Sequence, residues 1–266
     1  MKTVLLEEMS WLQVKNAMEA GYKTVIIALG SIEQHGPHLP EGTDSMLGYT
    51  MGEALARELG NALVAPTIRP GLSEHHMAFP GSLTLRMSTF VALMEDYVDC
   101  YIRHGFENII LLPTHGGNFK AVEDFANAAP KNYPGTKILC CLNHEIMTKL
   151  SEEVSKEENI PVNILGSHSG FAETSSMLAF YPQLVDMSLA EEGFVGDFAQ
   201  VRDKMFAEGM YGITKNGIIG DARNANAELG VKSRERFVKA CAEIIRKQLH
   251  GNQFSVIPTN HVKIKI

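Results

Sequence analysis

Four short, uninterrupted apolar runs constrain this 266-residue chain more than any other feature of its sequence. They occupy residues 24–30, 62–68, 108–113 and 136–142. Such runs, rich in β-branched residues and without polar alternation, are typical of strands buried on both faces. Segments with helical periodicity separate them. The sequence therefore predicts an α/β fold with a mainly parallel sheet and helices on both faces.

The helices predicted between these strands have recognisable ends. Ser10 is expected to cap a first helix that Gly21 ends, and Asp44 is expected to begin a second. Residues 191–230 are glycine-rich and give no assignment. No linker or internal repeat divides the chain, which predicts a single domain over 1–266. The later helices are predicted at 88–104, at 118–129 with Asn118 as N-cap, at 172–180 and at 240–249.

Composition and charge exclude several classes of function. Hydrophobic residues make up 45% and charged residues 21% of the chain, as in globular proteins. The formal net charge of −7 would repel a phosphate backbone, so we expect no nucleic-acid partner. No apolar run approaches the roughly 18 residues of a membrane span, and the N-terminus is too acidic for a secretory signal. We therefore expect a cytoplasmic protein that contacts no membrane.

Carboxylate and imidazole side chains follow the first predicted strand. Glu33 and His35 are two residues apart, and in an extended segment such residues point the same way. Asp44 follows after a Gly-Thr turn. These are the ligand types of zinc and manganese sites, and open α/β sheets bind ligands outside the carboxyl ends of their strands. A solvated loop with a helix-capping Asp44 explains the same residues, so this segment alone leaves both readings open.

A second histidine favours the metal site. His115 closely follows the predicted strand at 108–113, again at a carboxyl end. Gly116 and Gly117 permit positive φ and leave space for a ligand close to the backbone. The alternative is a tight turn leading to an N-capping Asn118, which explains the glycines but not the histidine.

Other polar residues fall where one α/β pocket would form. Glu173 lies in the first turn of a predicted helix, where the helix dipole is a sufficient reason for it, and His168 precedes that helix. His38 is either a spectator or a substrate contact. Of the adjacent histidines at 75–76, at most one is expected to face the pocket, and His76 is the candidate.

Three segments in this order resemble the creatininase (creatinine amidohydrolase) family. They are GSIEQHGPHLPEGTD at 30–44, HGGN at 115–118 and HSGFAETS at 168–175, with support from FPGSLTL at 79–85 and, more weakly, GDARNANAELG at 220–230. Each element alone is weak, but the combination is specific. The resemblance implies a doubly wound α/β fold with a metal centre at the strand ends and a homo-oligomer, often a hexamer.

The resemblance also implies roles for single residues. Asp44 would bridge the metals if two ions bind, His168 would contact substrate and move protons, and Glu173 would join it as a catalytic residue. Gly116, Gly117 and Asn118 are expected to hold substrate through backbone amides, with His38 and His76 as further contacts. One or two divalent ions are expected, zinc being favoured over manganese or iron. The implied metal ligands are Glu33, His35, Asp44, His115 and Glu173.

The chain departs from true creatininases at two points. They carry a Tyr-Glu pair after the histidine that corresponds to His115, with the glutamate a metal ligand, whereas this chain has Gly116 and Gly117. They also pack substrate with tryptophans. The one tryptophan here, Trp11, lies far upstream in a predicted helix and is expected in the core. Creatinine itself is therefore not the expected substrate.

These observations predict a metal-dependent hydrolase of a non-peptide C–N bond, of the cyclic amide or formamide type, in a small molecule. One alternative is a hydrolase that opens an oxidised inositol ring, a cyclic diketone. Another is a non-catalytic, metal-stabilised oligomer. His168 argues against the last, because a metal cage alone does not need it.

Overall fold

The computed structural model describes residues 1–250, and within them four strands form one sheet. The strand order is β2-β1-β3-β4, and each neighbouring pair is parallel. The four predicted strands are confirmed, although the second and fourth are shorter than their apolar runs. The strands are β1 (Thr24–Leu29), β2 (Ala62–Val64), β3 (Asn108–Pro113) and β4 (Lys137–Cys140).

Helices connect and cover these strands. The segment left unassigned in the sequence contains a helix, and the last helix is much longer than the predicted 240–249. The helices are α1 (Trp11–Glu19), α2 (Thr43–Leu59), α3 (Met87–His104), α4 (Phe119–Asn132), α5 (His144–Glu158), α6 (Val162–Leu165), α7 (Phe171–Phe180), α8 (Phe198–Glu208) and α9 (Ala227–His250).

Alternate residues of each strand supply two separate cores. On one face of the sheet Ile26 and Ile110 pack with residues of α2, α5 and α9. On the other face Ile27 and Ile109 pack with residues of α1, α3 and α4. All six residues of β1 are buried, which is why its sequence shows no polar alternation. The predicted α/β fold with helices on both faces is confirmed.

Three predictions about helix ends and burial have different outcomes. Ser10 caps α1 as expected, through a reciprocal capping box with Gln13. Asn118 does not cap α4, because its own backbone is helical and its side chain bonds elsewhere. Trp11 is 78% exposed, so its predicted place in the core is wrong. It lies at the first position of α1, whereas the buried side of that helix is formed by later residues such as Ala17.

The strand order gives the sheet a topological switch point at β1. The chain leaves β1 to form β2 on one side and later places β3 on the other side of β1. Connections at such a switch point diverge, and ligands of open α/β sheets bind there. No described helix is long and apolar enough to cross a membrane. The single domain over 1–266 stays a prediction, since 251–266 lie outside the described residues.

Candidate metal centre

The loop after β1 supplies the first part of the site. An isolated bridge between Ile32 and Leu83 keeps this loop extended, and the alternating residues Ser31, Glu33 and His35 are all buried. His35 donates from Nδ1 to the Glu33 carbonyl oxygen at 3.0 Å. In the neutral ring, Nε2 therefore carries a lone pair into the site.

The first turn of α2 brings a second carboxylate to the same place. Asp44 Oδ1 lies 3.4 Å from His35 Nε2. The hydroxyl of Ser31 donates to Asp44 Oδ2 at 2.8 Å and fixes the carboxylate. Because α2 begins directly after the loop of β1, this contact is local in sequence.

The loop after β3 adds a histidine between the two carboxylates. His115 Nδ1 is 3.1 Å from Glu33 Oε1 and 3.1 Å from Asp44 Oδ2. Its Nε2 donates to the Leu72 carbonyl oxygen at 3.1 Å, so Nδ1 is the nitrogen with the free lone pair. Because β1 and β3 are neighbours in the sheet, their carboxyl ends bring these residues together.

The two glycines after His115 have different surroundings. A Cβ at Gly117 would overlap the Leu72 carbonyl oxygen and the His115 ring. A Cβ at Gly116 would meet no atom of the described residues within 4 Å. Gly117 is thus required by the packing of the histidine, and Gly116 borders open space.

The segment before α7 closes the site from another side. His168 donates from Nε2 to the Gln34 carbonyl oxygen at 2.8 Å, and its Nδ1 lies 3.7 Å from Glu33 Oε1. Glu173 Oε2 lies 3.8 Å from His35 Nε2 and accepts a hydrogen bond from the Ser169 amide. The Glu173 side chain is 28% exposed, so solvent reaches the site beside it.

Of the two adjacent histidines in the 3₁₀ turn 74–76, His76 faces the carboxylates. Its Nε2 lies 3.3 Å from Glu33 Oε1. His75 instead stacks on His115, with ring centroids 5.8 Å apart. Its ring also packs against Phe206, with ring centroids 4.6 Å apart. Of the two rings, His76 is therefore the one placed against Glu33.

These side chains fit a divalent cation. Three overlapping triads, within the described residues, place their ligand atoms within 4.8 Å of one another. Glu33 Oε2 and His35 Nε2 are buried and have no hydrogen-bond partner among the described residues. Buried polar atoms are almost always partnered, so these two indicate a ligand. The triads are Glu33, His35 and Asp44; His35, His168 and Glu173; and Glu33, His76 and His168.

The electrostatics of the cluster also favour a bound cation. Burial lowers the pKa of His35, but the carboxylates of Asp44, Glu173 and Glu33 outweigh burial and raise that pKa to about 10. Burial opposes Glu33 and Asp44 at His115 in the same way, and its pKa is raised as well. Without a metal, the carboxylates would thus hold protons on the two histidines. A divalent ion supplies the same positive charge.

The other titratable groups respond differently. Burial, reinforced by neighbouring histidines, lowers the pKa of His168 and of His76, so both rings are neutral at pH 7. Burial raises the pKa of Glu173 to about 7. The site therefore joins a strongly anionic part to neutral imidazoles and a carboxyl group that titrates near neutrality.

Two predicted substrate contacts are bonded to the protein instead. The backbone amide of Asn118 donates to the His115 carbonyl oxygen at 3.0 Å. Its side chain accepts from the Leu72 amide at 3.0 Å and donates to the Gly30 carbonyl oxygen at 2.9 Å. It thereby joins the loops after β1 and β2. His38 Nε2 lies 2.9 Å from the hydroxyl of Thr174, and burial lowers the pKa of His38 to about 4.

Sequence reasoning missed two residues of the site. Ser31 shares the alternation of Glu33 and His35, so the same period of two could have identified it. Gln34 appeared only as the middle of the Glu33–His35 motif. Its buried side chain lies between His76 and His168, and nothing in a local pattern predicts contacts with segments so distant in the chain.

The fold and the cluster together define an α/β protein with a candidate centre for a divalent metal. Residues 7–245 match the creatininase family, described as creatinine amidohydrolase. The chain therefore belongs to the creatininase family and is an enzyme of the amidohydrolase class.

Relatives of known activity differ in their substrates. The mycofactocin precursor peptide peptidase of Mycolicibacterium smegmatis is 26% identical over 84% of this chain and 84% of its own length. The creatinine amidohydrolase of Pseudomonas putida is 25% identical over 93% and 98%. The 3-dehydro-scyllo-inosose hydrolase of Thermotoga maritima is 30% identical over 62% and 53%.

Solved structures confirm the fold. A crystal structure of creatinine amidohydrolase (creatininase) superposes with a TM-score of 0.76 at 24% identity, over 94% of this chain and 99% of the other. A manganese form of creatininase superposes with a TM-score of 0.73 at 24% identity, over 94% and 100%.

Proposed function

We propose that this protein hydrolyses a non-peptide C–N bond, of the cyclic amide or formamide type, in a small molecule. The observation that carries the proposal is the pair of unpartnered buried atoms, Glu33 Oε2 and His35 Nε2, beside a solvent-reached edge at Glu173. A buried ligand set that opens to solvent on one side suits a metal-activated reaction rather than a structural ion.

The proposed ion lies among the carboxylates and imidazoles described above. When bound, it would acidify a water molecule and polarise a carbonyl group. Zinc is favoured over manganese or iron, and one or two ions fit the overlapping triads. This chain has Gly117 where true creatininases carry a ligating glutamate, so a second ion would depend on the remaining ligands, Glu173 among them. The proposed ligands are Glu33, His35, Asp44, His115 and Glu173.

The open edge of the site carries the groups proposed to move protons. His168 is neutral and presents Nδ1, whose lone pair can accept a proton and later return it to a leaving nitrogen. Glu173, proposed both as a ligand and as a catalytic residue, lies at the same edge. Both groups lie within reach of Glu33 or His35, where a substrate carbonyl would be held.

The substrate contacts proposed from the resemblance have unequal support. Gly116 borders open space, and His76 faces the carboxylates. The Asn118 amide and the His38 ring are already bonded within the protein, and a Cβ at Gly117 would overlap protein atoms. Creatinine is not the proposed substrate, because the only tryptophan, Trp11, lies exposed on α1.

One alternative activity has specific support. A relative from Thermotoga maritima is a 3-dehydro-scyllo-inosose hydrolase, so an oxidised inositol ring is a second candidate substrate. We further propose, from the family resemblance, a cytoplasmic homo-oligomer, most simply a hexamer, which light scattering would test. A non-catalytic, metal-stabilised oligomer would bind the ion and turn over nothing.

The test combines metal analysis with a substrate panel. Purified protein, metal-free protein and protein reloaded with zinc, manganese or iron are assayed on lactams, formamides, oxidised inositols and a modified peptide. We expect turnover of a lactam or formamide only in metal-loaded protein. Consumption of the inositol alone would establish the alternative. Full turnover by metal-free protein, or none by any loaded form, would refute the proposal.

A further inference from the structure

Gln34 contacts two of the site histidines with two different groups. Its backbone carbonyl oxygen lies 2.8 Å from His168 Nε2. Its side-chain nitrogen lies 3.0 Å from His76 Nδ1. A carbonyl oxygen only accepts and an amide nitrogen only donates. His168 must therefore donate from its nitrogen to Gln34, whereas His76 must accept on its nitrogen from Gln34.

The orientation of the Gln34 amide is set by the backbone around it. The Gly36 amide donates to Gln34 Oε1 at 2.9 Å, which identifies that atom as the oxygen. The other atom donates to the Gly217 carbonyl oxygen at 3.1 Å, which identifies it as the nitrogen. Its second hydrogen remains for His76 Nδ1. Although it also lies 3.0 Å from His168 Nε2, that nitrogen carries the proton donated to the Gln34 carbonyl and cannot accept.

The chain makes room for this amide at a glycine. Gly217 has a φ of +77°, which a side chain would strain, and a Cβ there would overlap Gln34 Oε1. Gln34 is itself buried. The amide is therefore enclosed by backbone groups that leave it one orientation.

We propose that Gln34 is a positioning residue, which keeps the proton of His76 on the nitrogen that faces the cluster, whereas the other histidines there direct a lone pair inward. His35 and His115 donate their outer N–H to carbonyl oxygens, as His168 does, and direct a lone pair inward. His76 accepts on its outer nitrogen and directs Nε2–H at Glu33 Oε1, 3.3 Å away.

This assignment rests on the proposed function and refines it. A nitrogen that carries a proton cannot ligate a metal, so His76 stays outside the coordination sphere although one triad includes it. Its N–H can instead hold Glu33 in place and donate to a carbonyl oxygen of the substrate or to the charge that develops there. The triad of Glu33, His76 and His168 is then a substrate-facing group rather than a cation site.

The test reads the tautomers directly in full-length protein labelled with ¹⁵N at the histidine rings. Long-range ¹H–¹⁵N correlation spectra, recorded with and without zinc, report which nitrogen of each ring carries the proton. In the wild type we expect the His76 proton on Nε2. In Gln34→Glu, whose carboxylate only accepts, we expect it on Nδ1, with a fall in kcat/KM of about 10–100-fold. Gln183→Glu, an exchange at an exposed site, controls for the added charge.

A second pair of variants keeps the test decisive if Gln34→Glu does not fold. Gln34→Met preserves bulk without hydrogen bonds, and we expect it to lower kcat/KM in the wild type but to add little in a His76→Phe background. A proton on His76 Nδ1 in the wild type, or a full effect of Gln34→Met without His76, would overturn the inference. Such a result in a protein that binds zinc and hydrolyses its substrate would leave the proposed function intact. Protein that shows the expected tautomer but binds no metal would overturn the proposed function alone.

Discussion

The sheet side and the α7 side of this site are built in different ways. On the sheet side, Glu33, His35 and His115 are buried, and two backbone carbonyl oxygens fix the histidine rings. On the α7 side, Glu173 is partly exposed, and the residue that donates to it, Ser169, has a left-handed φ of 55°. Rigid, buried groups suit the holding of an ion, whereas Glu173, proposed both as a ligand and as a catalytic residue, joins the ion to the edge that solvent and substrate reach.

If this division is correct, removing a group from the sheet side should have the largest effect. Glu33→Gln and His115→Ala each delete a buried partner of the ion, so we expect metal affinity to fall by more than about 100-fold and turnover to vanish. Isothermal titration with zinc and elemental analysis measure this. His104→Ala, an exposed histidine on α3, is the matched control. Retention of stoichiometric metal in Glu33→Gln would contradict the division.

A change on the α7 side should separate chemistry from metal binding. We expect His168→Ala to lower kcat by about 10²–10⁴-fold, the usual contribution of a general acid or base, while zinc content stays near the wild-type level. Steady-state kinetics and metal analysis on the same preparation provide the comparison. Loss of the ion together with activity would instead make His168 a ligand.

The two glycines after His115 offer a smaller and more local comparison. Gly117→Ala inserts a methyl group against a backbone carbonyl and the His115 ring, so we expect a loss of about 1–3 kcal/mol in unfolding free energy. Gly116→Ala places the same group in open space and should change stability little. Urea unfolding of both metal-free variants tests this pair. Equal losses of unfolding free energy in the two variants would show that Gly117 is no more tightly packed than Gly116.

The charges on both sides of the site predict the pH dependence of the metal-free protein. His35 has a folded pKa of about 10 against 6.5 unfolded, so its stabilisation is full below pH 6.5 and is lost as the pH rises towards 10. Glu173, raised from 4.5 to about 7, binds more protons when folded and also favours low pH. We therefore expect the Tm of chelated protein to fall between pH 6.5 and 10, and zinc to abolish most of that fall. A Tm that rises with pH in chelated protein would contradict this electrostatic picture.

Sequence reasoning succeeded where a single strand or turn determines the outcome. The apolar run that forms β1 and the period of two in Glu33 and His35 are local patterns, and both appear in the structure as predicted. The order of strands β1 and β3 then brings His115 to the same edge.

Contacts that join distant segments were beyond such reasoning. Gln34 meets His76, His168 and Gly217 only after the chain has folded, so no spacing reveals it. Trp11 was placed in the core by residue type alone, yet its position at the start of α1 leaves it exposed. Burial at a helix end depends on what the helix packs against.

Anomalous diffraction from crystals of zinc-loaded protein, recorded at the zinc absorption edge, would locate the ion itself. We predict one or two peaks at the carboxyl ends of β1 and β3, about 2.0–2.2 Å from carboxylate oxygens and imidazole nitrogens. Their ligands should come from Glu33, His35, Asp44, His115 and Glu173, with His76 unbound. A peak elsewhere in the molecule, or no peak at this edge of the sheet, would contradict the assignment of a metal centre here.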